Sequence, residues 1–249
     1  MKKIILWISL FGIGMAQTGI EIAQMVEDRI SPKDMISSTT MVLTNKKGRT
    51  RTAKIFTKSM DDSKKQIMWF LSPKDDKGVA FLKIEHDDKD DEMRMWLPAF
   101  KKIRRISSKK KGDSFMGSDL TYEDMSSRVI YENTFSRLED EKVGEIDCFV
   151  IEAVPNPELK SSYSKHKTWI DKKLNMAVKE ESYDRMGDLK KIKTFENKIV
   201  GKYRVMSGIF VNDVQNNHTT NLTFDDLELD TGIKNNLFHE KNLKRLPRN

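Results

Sequence analysis

From Met35 onward the chain alternates apolar and polar residues in short runs separated by turn residues, which is the period of β-strands. Met35–Thr44 and Arg49–Thr57 flank Asn45-Lys46-Lys47-Gly48, a hairpin turn closed by glycine. Gln66–Leu71 follows and is stopped by Ser72-Pro73. Val79–Ile84 and Glu92–Leu97 are joined by the acidic loop His86–Asp91, and Ile103–Ile106 is a short sixth strand. Tyr131–Asp140 and Ile146–Val154 read as a hairpin around Lys142–Gly144. Tyr163–Asp171, Ala177–Asp184, Leu189–Val200, Val205–Val211 and His218–Phe224 continue the meander. Turns recurring every eight to twelve residues or so predict an antiparallel sheet or barrel, with sequence neighbours pairing in space. Helical spacing is confined to Gly19–Ile30, stopped by Ser31-Pro32, and to a short helix over Asp119–Met125 capped by Asp119. No linker, repeat or low-complexity tract divides residues 17–249, which read as one domain. Gly232–Asn249 is polar and basic and reads as a loosely held tail.

The alternation is imperfect in an informative way. Ile67, Trp69 and Leu71 share one face of their strand, yet Met68 and Phe70 occupy the other. Apolar contact on both sides fits a sheet with helices or a lid in its concavity, and equally fits a sandwich. Met95–Asp124 is the most distinctive stretch. Met93, Met95 and Leu97 alternate with Arg94 and Trp96, and Pro98 ends the ladder because it has no N–H to donate. Ile103 and Ile106 then stand among Lys101, Lys102, Arg104 and Arg105. After the polar Ser107–Gly112, Phe115 and Met116 are stranded in a loop between Ser114 and Gly117. Burial is worth about 25 cal/mol per Å² of apolar surface, so this pair is expected to dock on something. Either it plugs the end of the protein's own core, or it lines or gates a ligand cavity.

The ends and the composition narrow the class. Lys2 and Lys3, the apolar run Ile4–Met15 and the site Gly14-Met15-Ala16 read as a signal peptide over residues 1–16, cleaved near Ala16. Export to the periplasm is the expectation, and an uncleaved anchor is the alternative. No cysteine follows the site, so the chain is not itself expected to be a lipoprotein. The net charge of +7 drops by the two lysines that leave. Cys148, in the apolar run Ile146–Ile151, is a lone thiol and reads as a small core residue. Fourteen methionines are many for this length. They suit a surface that must accept varied apolar shapes, or reflect genome usage.

Catalytic chemistry has little to stand on. His86, His166, His218 and His239 have no metal-ligand spacing to one another or to cysteine, and His166, between two lysines, reads as a surface residue. There is no G-x-S-x-G and no glycine-rich phosphate loop. Ser107 and Ser108 each precede a lysine by three residues, in a loop so rich in lysine that the match is accidental. Asp87, Asp88, Asp90, Asp91 and Glu92 form a solvated run. No catalytic residue, metal or cofactor is expected, and the chain is not read as an enzyme. The basic run from Lys101 to Lys111 fits an anionic headgroup, a membrane surface or an acidic protein, or is a solvated face offset by the acidic loop. Nucleic acid is not an expected partner of an exported chain.

Three stretches carry a resemblance. Ser72-Pro73-Lys74-Asp75-Asp76-Lys77-Gly78-Val79-Ala80-Phe81-Leu82, Trp96-Leu97-Pro98-Ala99-Phe100-Lys101-Lys102-Ile103-Arg104-Arg105-Ile106 and Ser114-Phe115-Met116-Gly117-Ser118-Asp119-Leu120-Thr121-Tyr122-Glu123-Asp124 resemble the LolA-like outer-membrane lipoprotein-sorting proteins. The resemblance implies a mainly β fold, a strongly curved antiparallel half-barrel with helices covering the concave side. It implies a periplasmic carrier holding lipid or lipoprotein acyl chains in a hydrophobic cavity. This branch is similar to relatives that accompany inner-membrane transporters of the resistance–nodulation–division type, so such a transporter or an outer-membrane component is an implied partner. The expected cavity wall is Trp69, Leu71, Phe81, Met93, Met95, Leu97, Phe115 and Met116, with Arg104 and Arg105 meeting a headgroup or partner. A one-residue slip in register would move any of these to the other face. One rival is a periplasmic adaptor or sensor that binds a transporter or envelope protein through the same fold. The other, a lipid hydrolase, lacks a nucleophile beside a base.

Overall fold

The computed structural model describes residues 17–87 and 89–247, so the expected signal segment lies outside the described residues. Among the described residues no helix is long and apolar enough to cross a membrane. The chain opens with helix α1 (Gly19–Glu27), then runs through six strands: β1 (Asp34–Thr44), β2 (Thr50–Met60), β3 (Lys65–Ser72), β4 (Ala80–Ile84), β5 (Glu92–Leu97) and β6 (Lys102–Ile106). After an irregular crossing come β7 (Asn133–Arg137), β8 (Glu141–Val143), β9 (Ile146–Pro155), β10 (Tyr163–Asp171), β11 (Met176–Asp184), β12 (Leu189–Val200), β13 (Tyr203–Asp213) and β14 (His218–Leu229). These strands form one antiparallel sheet in the order β6-β5-β4-β3-β2-β1-β14-β13-β12-β11-β10-β9-β7, with β8 also on β9.

Sequence neighbours pair almost throughout, and the two meanders join where β14 returns to β1. The β1–β2 turn shows why. Asn45 Oδ1 accepts from the backbone N–H groups of Lys47 and Arg49, and Gly48 takes φ +73°, where a side chain would be strained.

The sheet is strongly curved, and its own contacts require it. β4 and β12 stand six strand positions apart, about 29 Å in a flat sheet. Yet Lys83 of β4 donates to the carbonyl of Met125 at 2.6 Å, while Lys193 of β12 reaches the adjacent residue, Asp124, at 2.5 Å. The two halves must curl toward a common centre. β6 and β7 are the two edges of this half-barrel, and residues 107–132 run from one to the other through its concavity.

α1 covers only the β7 end of the concave side. Thr18 and Glu21 form a reciprocal cap at its start, and Ile22 packs against Ile151 and Ile170. Gly19 lies so close to β7 that a Cβ there would sit 2.7 Å from the backbone of Ser136. The rest of the cover is the irregular crossing. The helix expected over Asp119–Met125 is reduced to one 3₁₀ turn, Glu123–Met125, because the Asp119 carboxylate is spent on β14 instead of a cap.

The tail corrects a second expectation. Residues 235–244 form two 3₁₀ turns that bury Phe238 and Leu243 on the convex face, against Ile67, Trp69, Ala80 and Leu82. Apolar residues therefore alternate onto both faces of β3 and β4 because both faces are covered, one by the crossing and one by the tail.

Candidate functional site

Twelve residues of eight strands make the apolar wall of the concavity: Met41 and Leu43 of β1, Ala53 and Ile55 of β2, Met68 and Phe70 of β3, Phe81 of β4, Met93 and Met95 of β5, Ile106 of β6, Val211 of β13 and Leu222 of β14. Leu97, Met116 and Met125 pack against it, half-buried. Six methionines thus gather on or beside one surface, and their flexible thioethers can fit more than one apolar shape.

The trough is occupied by the chain itself. Residues 113–122 fold as a tight hairpin whose Phe115, Leu120 and Tyr122 are buried against the wall. The Phe115 ring lies 5.1 Å from that of Phe81 and 5.9 Å from that of Tyr122, both edge-on, and 6.1 Å from that of Phe70. The hairpin turns on Met116 at φ +52° and Gly117 at φ +78°. Its internal ladder is a single bridge, Ser114 to Thr121, helped by the Phe115 N–H donating to the Leu120 carbonyl at 2.8 Å. We call this segment the plug. Both readings open for Phe115 and Met116 have the pair dock, and here Phe115 is buried in the protein's own core with Met116 packed against it.

Two polar latches hold the plug. At its tip, Asp119 accepts from Thr220 Oγ1 at 2.6 Å and pairs with His218 Nδ1 at 2.8 Å. At its base, the Asp124 carboxylate receives Lys193 Nζ at 2.5 Å, Lys191 Nζ at 3.0 Å and the Tyr163 hydroxyl at 2.8 Å. Lys193 also reaches Glu180 at 3.1 Å, and Glu180 receives Arg128 and the Thr168 hydroxyl, each at 3.0 Å. Burial alone would push both carboxyls up. Lys193 and Lys191 overcome that at Asp124, and Arg128, Lys193 and His166 at Glu180, so each is held well below the carboxylate range. Burial and the nearby Asp124 charge push the Tyr163 phenol up, so it remains a donor.

The concavity therefore has two zones. From β6 to β13 it is apolar and filled by the plug. Over β10 to β12 it is a dry ionic patch, with Asp124 and Arg128 supplied from the crossing. Nothing in the periodicity marked Asp124, Glu180, Lys191 or Lys193, because charged residues alternating along a strand read as the solvated face. His166 shares that error: it is buried, hydrogen-bonded to Ser182 at 2.9 Å, while Lys165 and Lys167 point to the other face. Burial and the neighbouring Arg128 push its imidazole down, against Glu180.

Of the residues expected on the wall, Phe81, Met93, Met95 and Leu97 stand there, with Phe115 and Met116 belonging to the plug. Trp69 does not. It is on the convex face, under the tail, because Phe70 takes the concave position of β3. Leu71 falls at the irregularity where β3 slips against Lys54-Ile55, and it belongs to neither cluster. Arg104 and Arg105 are exposed on the edge strand β6.

Comparison with known proteins matches this architecture. Residues 62–245 fit a family model described as "Uncharacterized protein". No curated protein sequence matches. A domain from Vibrio parahaemolyticus described as outer membrane lipoprotein-sorting is 36% identical and superposes with a TM-score of 0.86, over 91% of this chain and 98% of that one. The chain belongs to the LolA-like outer-membrane lipoprotein-sorting family. A DUF1329 family protein from Desulfovibrio piger, 25% identical, matches this LolA-like chain over 90% of its length and 97% of the relative's, with a TM-score of 0.85. A LolA superfamily protein from Nitrosomonas europaea, 15% identical, shares the fold over 91% and 99% of the two chains at a TM-score of 0.72. The LolA-like chain thus has a carrier-type fold.

Proposed function

We propose that this protein is a periplasmic carrier for the acyl chains of lipids or lipoproteins, and that the plugged trough is its unloaded state. The observation that supports this most is the plug's place. A methionine-rich apolar wall is covered by a short hairpin with one internal bridge, not by strands or helices of the scaffold. Lifting that hairpin exposes a greasy groove without breaking any strand pairing of the sheet. An acyl chain gains about 0.8 kcal/mol per buried CH₂, so a long tail can displace the three plug side chains. In this reading work is done by burial and displacement, not by a reactive side chain. Phe115 acts as an internal competitor, which lowers apparent affinity and favours release to the next acceptor. A transporter of the resistance–nodulation–division type, or an outer-membrane component, is the fitting donor or acceptor.

The competitor role reverses what a simple lid would do. Removing a lid weakens binding, whereas removing a competitor strengthens it. Phe115→Ala is therefore expected to bind a fluorescent fatty acid at least about tenfold more tightly, since a buried Phe→Ala change costs the closed state about 3–5 kcal/mol. Unchanged or weaker binding by folded protein would contradict the proposal. The filled trough itself favours a second reading, an adaptor or sensor that binds an envelope protein through its outer surface. That reading expects no lipid to co-purify and no gain in affinity from Phe115→Ala.

A further inference from the structure

Because every pairing in the sheet is antiparallel, successive turns fall alternately at its two ends. Turns 45–49, 73–79, 98–101, 156–162, 185–188 and 214–217 share one end. Turns 61–64, 85–91, 172–175 and 201–202 share the other. Contacts tie the first set into a rim. Gly78 lies against Pro98, Arg185 donates to the carbonyls of Ser161 at 2.9 Å and Lys160 at 3.0 Å, and Gln215 donates to Asp184 at 2.8 Å. The plug tip and a polar recess of about 510 Å³, lined by Asn45, Lys46, Asp119, Lys190 and His218, open at this same rim.

The two ends differ in character. On the plug-tip rim, whose other turns together carry charges of both signs, residues 45–49 carry Lys46, Lys47 and Arg49 with no carboxylate, and residues 98–102 carry Lys101 and Lys102 with none. These five cations are exposed and make no ion pair among the described residues. Two large apolar side chains stand at turn tips of the same rim: Phe100, next to Lys101 and Lys102, is 70% exposed, and Met186, on the β11–β12 turn, is 87% exposed. The opposite end is acidic near β4 and β5, where Asp87, Asp90 and Asp91 cluster; Tyr131, exposed there, bonds the Asp87 carbonyl.

We infer that the plug-tip rim docks this protein on an anionic phospholipid surface. Single apolar tips on a rim that also presents unpaired lysine and arginine suit a headgroup layer, where the ring or thioether enters the interface and each cation meets phosphate. The two tips stand apart and form no contiguous apolar patch of the kind that marks a hydrophobic protein interface. The acidic β4–β5 turn at the opposite end adds to this orientation by repulsion. Docked this way, the trough mouth and plug tip face the lipid. The inference goes beyond the carrier reading, since docking requires neither cargo nor plug movement.

The test is co-sedimentation of cargo-free protein with vesicles of phosphatidylcholine alone or mixed equally with phosphatidylglycerol. Wild-type protein is expected to bind the mixed vesicles only, and to be released in about 0.5 M salt, where the Debye length is only about 4 Å. A basic residue near such a surface contributes about fivefold, so K47E/R49E/K101E/K102E is expected to lose more than about 100-fold. F100D/M186D is expected to lose at least about tenfold through lost apolar burial. Ile199→Asp, exposed at the opposite end, is the control and should bind like wild type. Absence of wild-type binding, equal binding to neutral vesicles, or an Ile199→Asp loss matching that of F100D/M186D would overturn the inference. Fatty-acid affinity measured in solution reports on the carrier reading separately.

Discussion

Asp124 and Glu180 are two buried carboxylates held ionised by Lys191, Lys193 and Arg128, and Asp124 is the one that belongs to the plug's base. Its side chain is 2% exposed and that of Lys191 is 3% exposed, so removing the Asp124 charge strands Lys191 in a dry site and leaves Lys193 with Glu180 alone. Asp124→Asn is expected to lower stability by about 3–5 kcal/mol, the usual cost of breaking a buried pair. Because the Asp124 carboxyl is depressed below its ordinary value of 3.8, its stabilisation is complete above that pH and fades as pH falls through it. The variant's stability should therefore fall less steeply than wild type below about pH 4. Urea melts from pH 7 to pH 2 check both statements; parallel acid limbs would show that Asp124 titrates normally. The strand residues of this network could not be found from periodicity, since Lys191 and Lys193 alternate like a solvated face. Asp124, by contrast, lies within the stretch that carried the family resemblance, though without any sign of its partners.

Most strands were legible because alternation and turn residues fix them locally. Their lengths were less so: β13 and β14 extend beyond the runs predicted for them, where polar residues at the ends still pair with neighbours. Two elements were only partly legible for one reason: each is irregular and owes its order to a surface elsewhere in the chain. The plug has no period of its own and is shaped by β4, β12 and β14. The tail looked polar, yet Phe238 and Leu243 suffice to pin it over Trp69 and Leu82. That placement also explains why Trp69 was assigned to the wrong side: the tail that makes the convex face apolar gives no local signal. Phe238→Ala is expected to cost about 3–5 kcal/mol. The accompanying release of the tail should appear as faster proteolysis after Gly232. A melting temperature within a degree of wild type would show that the tail contributes little.

At the scale of the molecule, the half-barrel was implied by the family resemblance and not by the strand pattern, which allowed a sandwich equally well. What decides the shape is the crossing from β6 to β7. It meets β4 and β12 at adjacent residues, which only a curled sheet permits. The same crossing carries the plug, so curvature, filling of the trough and function are tied to one segment of chain. Backbone N–H groups of Phe115, Ser118, Leu120 and Tyr122 make the plug's own hydrogen bonds and report directly on whether it stays seated. Hydrogen–deuterium exchange of these four amides, measured with and without a saturating long-chain fatty acid, is the most direct test. The expected result is faster exchange of all four in the loaded protein, with β1 to β4 remaining protected. Unchanged or slower exchange at the plug, with fatty acid bound, would contradict the claim that cargo takes the plug's place.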